Sequence, residues 1–121
     1  MWLLIMCRHK FEINKRSFND AISDIYDLLS KLLHMSEQNE HSDKIVYLIL
    51  HRQSVANLIY NDGFTAYNTF LANAEKLNTN NSRIAENIVW FFTSLKELKE
   101  KYIDCTGRIN EALDNFSARK K

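Results

Sequence analysis

Two histidines and a glutamate are spaced as metal ligands would be along one helical face. His34, Glu37 and His41 lie at positions i, i+3 and i+7, and two imidazoles with a carboxylate are a ligand set that transition metals accept. The run from 36 to 40 is polar throughout, however, and is typical of an exposed loop after a helix. We therefore predict a polar linker here, with no metal and no cofactor.

Arg52 is a charged residue in the middle of an apolar helical face, close to Ile49 and Ala56. An unpaired guanidinium is costly to bury, so Arg52 must pair with a carboxylate, extend to the surface, or enter a ligand or partner site. Asp24 and Asp27 on the preceding helix are the candidate partners for an ion pair. A ligand-anchoring Arg52 is the alternative.

The two cysteines, Cys7 and Cys105, lie in apolar runs and are best interpreted as small hydrophobic residues. Two cysteines are too few for a disulfide scaffold, which favours a reduced, cytoplasmic compartment. The sequence also contains no glycine-rich phosphate loop, dinucleotide fingerprint or nucleophile motif. It therefore predicts no catalytic residues, and an enzyme is disfavoured.

Composition indicates a single all-α domain covering residues 1–121. The chain has no proline and only two glycines, Gly63 and Gly107, which favours long helices joined by short loops. The formal net charge of +1 disfavours nucleic acid as a partner. No apolar run approaches the roughly 20 residues that cross a bilayer, so we expect no membrane partner.

The hydrophobic pattern predicts a bundle of four helices, with a possible fifth in residues 1–13, where helix and strand cannot be told apart. Ser17 is the expected start of the first helix, which ends within residues 36–40. The second covers about 43–61 and is ended by Gly63. The third covers about 65–77, and the fourth runs from Ser82 to Ala118.

The fourth predicted helix carries an apolar stripe with the heptad spacing of a coiled coil. Its length of roughly 55 Å exceeds the roughly 33, 28 and 20 Å expected for the other three helices. The far end of the stripe would then need cover from a second copy, another protein, or residues 1–7. The stripe consists of Ile84, Ile88, Phe91, Leu95, Leu98, Tyr102, Cys105, Ile109, Ala112 and Phe116.

These features predict a non-enzymatic helical protein–protein interaction module: an adaptor, a chaperone, or a small inhibitor or immunity-type factor. Its partner would be another protein, a second copy of the chain in a homodimer, or both. The alternative is a small all-helical enzyme or ligand-binding bundle with an internal site around Arg52. The expected partner-binding residues, two of which lie off the stripe, are Trp90, Tyr102, Ile109, Leu113 and Phe116.

Overall fold

The computed structural model describes residues 2–35, 40–77 and 82–120, and these form three long helices. They are α1 (Trp2–His34), α2 (Glu40–Leu77) and α3 (Ser82–Lys120). No strand occurs among the described residues, and the all-α class is confirmed. Three helices replace the four or five that were predicted, because two expected breaks are absent.

The first absent break is at Ser17, which was expected to cap a helix. Ser17 instead lies exposed within α1, which begins at Trp2. Phe11 and Phe18 are seven residues apart, share one face of the helix and are both fully buried. The apolar stripe is therefore continuous across Ser17, and residues 2–13 belong to the first helix rather than to a separate element.

The second absent break is at Gly63, which was expected to end a helix. Gly63 is buried within α2, and a Cβ atom at this position would lie 3.2 Å from Cε2 of Phe11. The glycine thus allows α2 to pack closely on α1. Ala56 and Ala66, two small buried residues of α2, also leave room for close packing. As a result, α1 and α2 contact each other more extensively than either contacts α3.

The third helix is continuous through Gly107, as predicted. With 33, 38 and 39 residues, the three helices are about 50, 57 and 58 Å long. The ten stripe residues on α3 are all buried or partly buried. The far end of the stripe is therefore partly covered by α1 and α2, which are nearly as long as α3 where shorter helices were predicted, so the length of α3 no longer argues for a second copy.

The helices alternate in direction, so α1 and α3 are parallel and α2 is antiparallel to both. Residue numbers rise together along the contacts between α1 and α3, and run in opposite senses along those between α1 and α2. The contacts that establish these directions are Arg8–Asn87 and Tyr26–Asp104 for α1 with α3, and Phe18–Tyr60 and Asp24–Arg52 for α1 with α2.

Phe91 occupies the centre of the aromatic core and is fully buried. Its ring centroid lies 5.0 Å from that of Phe11 on α1 and 4.7 Å from that of Phe70 on α2. Tyr67 of α2 and Trp90 of α3 complete the ring cluster. One side chain of α3 therefore joins all three helices.

Candidate binding groove

An open groove of about 620 Å³ lies between the C-terminal halves of α1 and α3. All of its described lining residues belong to these two helices, which run side by side in the same direction. The lining comprises Tyr26, Leu29, Ser30, Leu32, Leu33, Arg108, Glu111, Ala112 and Asn115.

The centre of the groove is apolar. Leu32 is buried, while Leu29 and Ala112 are partly buried against the core. Leu33 stands at the edge with 68% of its surface exposed. An apolar side chain from another molecule could lie on these residues and remove their surface from water.

A polar cluster closes one end of the groove. The Tyr26 hydroxyl donates a hydrogen bond of 2.5 Å to Oδ2 of Asp104, and Arg108 Nε donates to the same oxygen at 3.1 Å. The guanidinium carbon of Arg108 lies 5.3 Å from the centroid of the Tyr26 ring. These contacts join α1 to α3 and hold the Tyr26 ring and Arg108 in place beside the apolar residues.

The cluster and its neighbour Cys105 have shifted pKa values. Burial first, and the hydrogen bond to Asp104 second, raise the pKa of Tyr26 to about 12. The same hydrogen bond lowers the pKa of Asp104, and burial raises the pKa of Cys105 to about 11. At neutral pH the phenol and thiol stay protonated and the carboxylate stays charged, so these three groups are not suited to acid–base or nucleophilic catalysis.

We expect the Tyr26 hydroxyl to lose its proton at a higher pH than an ordinary tyrosine does. Its folded pKa of about 12 exceeds the ordinary value of 10.0, so its contribution to stability is complete below pH 10 and is lost as the pH rises towards 12. Absorbance titration should show a phenol with a pKa of about 12 that is missing from Tyr26→Phe. The difference in unfolding free energy between the two proteins should shrink above pH 10. A difference that stays constant up to pH 12 would contradict this assignment.

Trp90, which was expected to face a partner, packs within the molecule. Its ring contacts Phe11 and Phe91 at centroid distances of 5.5 and 5.2 Å. Arg8 covers the ring, with its guanidinium carbon 4.3 Å from the centroid, and also donates a hydrogen bond to Asn87. Arg8 thereby covers one face of the Trp90 ring.

The other four expected partner-binding residues face the bundle interior to different degrees. Ile109 is fully buried, and Tyr102 is partly buried and stacks on Tyr60 at a centroid distance of 6.2 Å. Leu113 and Phe116 are partly buried against the core. The structure therefore does not gather these residues on one open surface, although Ile109 and Leu113 lie on the stretch of α3 that lines the groove.

Arg52 lies on the surface, with its Nε atom 3.9 Å from Oδ2 of Asp24, one of its two expected partners. Both side chains are about half exposed, so the pair contributes at most about 1 kcal/mol to stability. Arg52 does not line the groove. The structure therefore gives no support to an internal site around this residue.

The histidine cluster lies partly outside the described residues, because Glu37 falls in the undescribed linker. His34 and His41 are both exposed. Within residues 2–35, 40–77 and 82–120, no three His, Cys, Asp or Glu side chains are grouped as metal ligands.

The residues that form the groove were not selected from the sequence as a site. One signal was present: the predicted first helix carries two adjacent leucine pairs, Leu28–Leu29 and Leu32–Leu33, which make its apolar face broader than a single neighbouring helix covers. The sequence does not show that Tyr26 of α1 contacts Arg108 of α3.

Comparisons with protein-family models, with curated proteins and with solved structures gave no match. Over the part of the chain that the structure describes, no helix has both the length and the apolar character needed to cross a membrane. Any functional assignment must therefore rest on the geometry of the bundle itself.

Proposed function

We propose that this chain is a non-enzymatic protein–protein interaction module that binds an amphipathic helix of a partner protein in the groove between α1 and α3. The groove itself is the observation that carries the proposal. Two parallel helices form its walls, apolar side chains form its centre, and polar side chains lie along its edges. This is the arrangement of surfaces that bind a helix by its apolar face.

The dimensions support a helix as the occupant. From Tyr26 to Leu33, and from Arg108 to Asn115, each wall is about 10 Å long, which corresponds to two helical turns. A partner helix would therefore place one or two large apolar side chains on Leu29, Leu33 and Ala112, in the position of a fourth helix of the bundle.

The proposal includes a reduced, cytoplasmic environment. Its support is that Cys7 and Cys105 are both free and buried. Unpaired cysteines that pack as small hydrophobic residues are typical of a reducing compartment, where disulfides are rare. The alternative of a small-molecule site has weaker support. The groove volume is in the range of ligand pockets, but the groove is open, and Arg52 lies elsewhere on the surface.

A selection experiment tests the helix-binding proposal. A displayed library of amphipathic helical peptides is selected on the full chain, and the enriched peptides are measured by fluorescence anisotropy. Loss of one buried leucine contact costs about 1.5–3 kcal/mol, so we expect Leu33→Asp to weaken binding about 10- to 100-fold. Ala112→Trp, which fills the groove, should have a similar effect.

Val89→Asp is the matched control, because Val89 on α3 is 64% exposed and Leu33 is 68% exposed. This variant should bind the selected peptides as well as the wild-type chain does. Circular dichroism checks that all three variants remain folded. Peptides that bind Leu33→Asp and Ala112→Trp with unchanged affinity, or a selection that enriches none, would overturn the proposal.

A further inference from the structure

The outer face of α2 exposes large apolar side chains on the side of the helix opposite the core. Ile49 and Ala56 are fully buried, whereas Tyr47 is 68% exposed, Leu58 64% and Leu50 44%. At about 100° per residue, Tyr47 and Leu58 lie nearly opposite Ile49 and face away from α1 and α3, whereas Leu50 lies to one side. An apolar face that the molecule itself does not bury is a candidate contact surface.

These residues form a stripe with helical spacing. Tyr47, His51, Ser54 and Leu58 follow one another at intervals of four, three and four residues and are all exposed. The rings of Tyr47 and His51 stack with centroids 6.4 Å apart and an interplanar angle of 19°. The stripe therefore presents an ordered aromatic surface at one end and an aliphatic side chain at the other.

The stripe is symmetric about the midpoint between Arg52 and Gln53. Tyr47 and Leu58 are equally distant from this point on opposite sides, as are His51 and Ser54. If a second α2 lies antiparallel on the first, Tyr47 of each copy meets Leu58 of the other. Such a self-complementary surface is what a twofold interface requires.

Two charged residues select the antiparallel direction. Lys44 and Asp62 are 18 residues apart, so both lie on the same edge of the stripe, and both are exposed. In an antiparallel pair, Lys44 of each copy lies within one turn of Asp62 of the other. In a parallel pair, both lysines would lie at one end of the interface and both aspartates at the other, so no opposite charges would meet.

We infer that two copies of this chain associate through antiparallel packing of their α2 helices. The inference does not depend on the groove between α1 and α3. A stripe about 27 Å long and about 10 Å wide covers about 270 Å² on each copy, or about 540 Å² over both. This is below the roughly 1,200 Å² that stable specific interfaces bury, so we expect a weak dimer with a dissociation constant of about 10–100 μM.

Sedimentation velocity on the full chain between about 5 and 500 μM tests the association. The wild-type chain should shift from monomer to dimer over this range, whereas Leu58→Asp should stay monomeric, with its dissociation constant raised at least about 10-fold. Val89→Asp is the matched control, because Val89 and Leu58 are both 64% exposed; it should dimerise as the wild-type chain does. A wild-type chain that remains monomeric at 500 μM would overturn the inference.

Two further measurements test the direction of packing. Lys44→Glu should weaken the dimer, and adding Asp62→Lys to it should restore wild-type association, because the pair of opposite charges is regained with its positions exchanged. Under oxidation, a mixture of Tyr47→Cys and Leu58→Cys chains should form the mixed disulfide, while neither chain alone should cross-link. Cross-linking of Tyr47→Cys with itself, or a dimer that persists unchanged in Leu58→Asp, would overturn the inference.

Discussion

The free energy of unfolding is expected to fall by about 3–5 kcal/mol when Phe91 is replaced by alanine. The side chain is fully buried, and its ring contacts aromatic rings from α1 and α2 as well as from α3. The variant loses both the burial of a phenyl ring and its edge contacts, and it leaves a cavity at the point where three helices meet. Urea denaturation followed by circular dichroism measures the loss.

Phe92→Ala is the matched control. It makes the same substitution one residue away in the same helix, but Phe92 is 61% exposed. The change in intrinsic helix propensity is the same at both positions, so the difference between the two variants isolates burial. We expect Phe92→Ala to change stability by less than about 0.5 kcal/mol. Equal effects of the two substitutions would mean that α3 does not pack on the other helices through the face that contains Phe91.

A leucine in place of Gly63 is expected to destabilise the protein by about 1–3 kcal/mol, whereas a leucine in place of Gly107 should stabilise it by up to about 1 kcal/mol. Both substitutions remove a helical glycine. At Gly63 the new Cβ would lie 3.2 Å from the Phe11 ring, whereas a Cβ at Gly107 would meet no described atom within 4 Å beyond its chain neighbours and the backbone of its own helix. The sign of the change in unfolding free energy, measured in urea, therefore separates the two sites.

The Phe11 ring provides the control for the Gly63 prediction. If crowding against this ring is the cause, Gly63→Leu should cost much less in a Phe11→Ala background, and a double-mutant cycle should give a coupling energy of at least about 0.5 kcal/mol. Additive effects of the two substitutions would show that Gly63 acts on the backbone of α2 alone.

The two absent helix breaks show why local patterns were insufficient. A glycine after Asn61 and Asp62 is a helix stop when nothing crowds it, and the same glycine is a packing site when another helix lies against it. The difference is made by Phe11, which lies far away in the sequence. Likewise, Ser17 has the residue type of a cap, but the buried stripe through Phe11 and Phe18 keeps the helix continuous.

The sequence by itself determined the helical class, the continuity of α3 through Gly107 and the apolar residues that α3 buries, because these follow from composition and from a periodic apolar stripe within one segment. It also placed Asp24 among the possible partners of Arg52. Only the tertiary structure decided the number of helices, the cover of the far end of α3 and the groove with Tyr26 and Arg108 at its edge. These depend on which helices lie side by side and how closely, and such contacts join residues that are distant in the sequence.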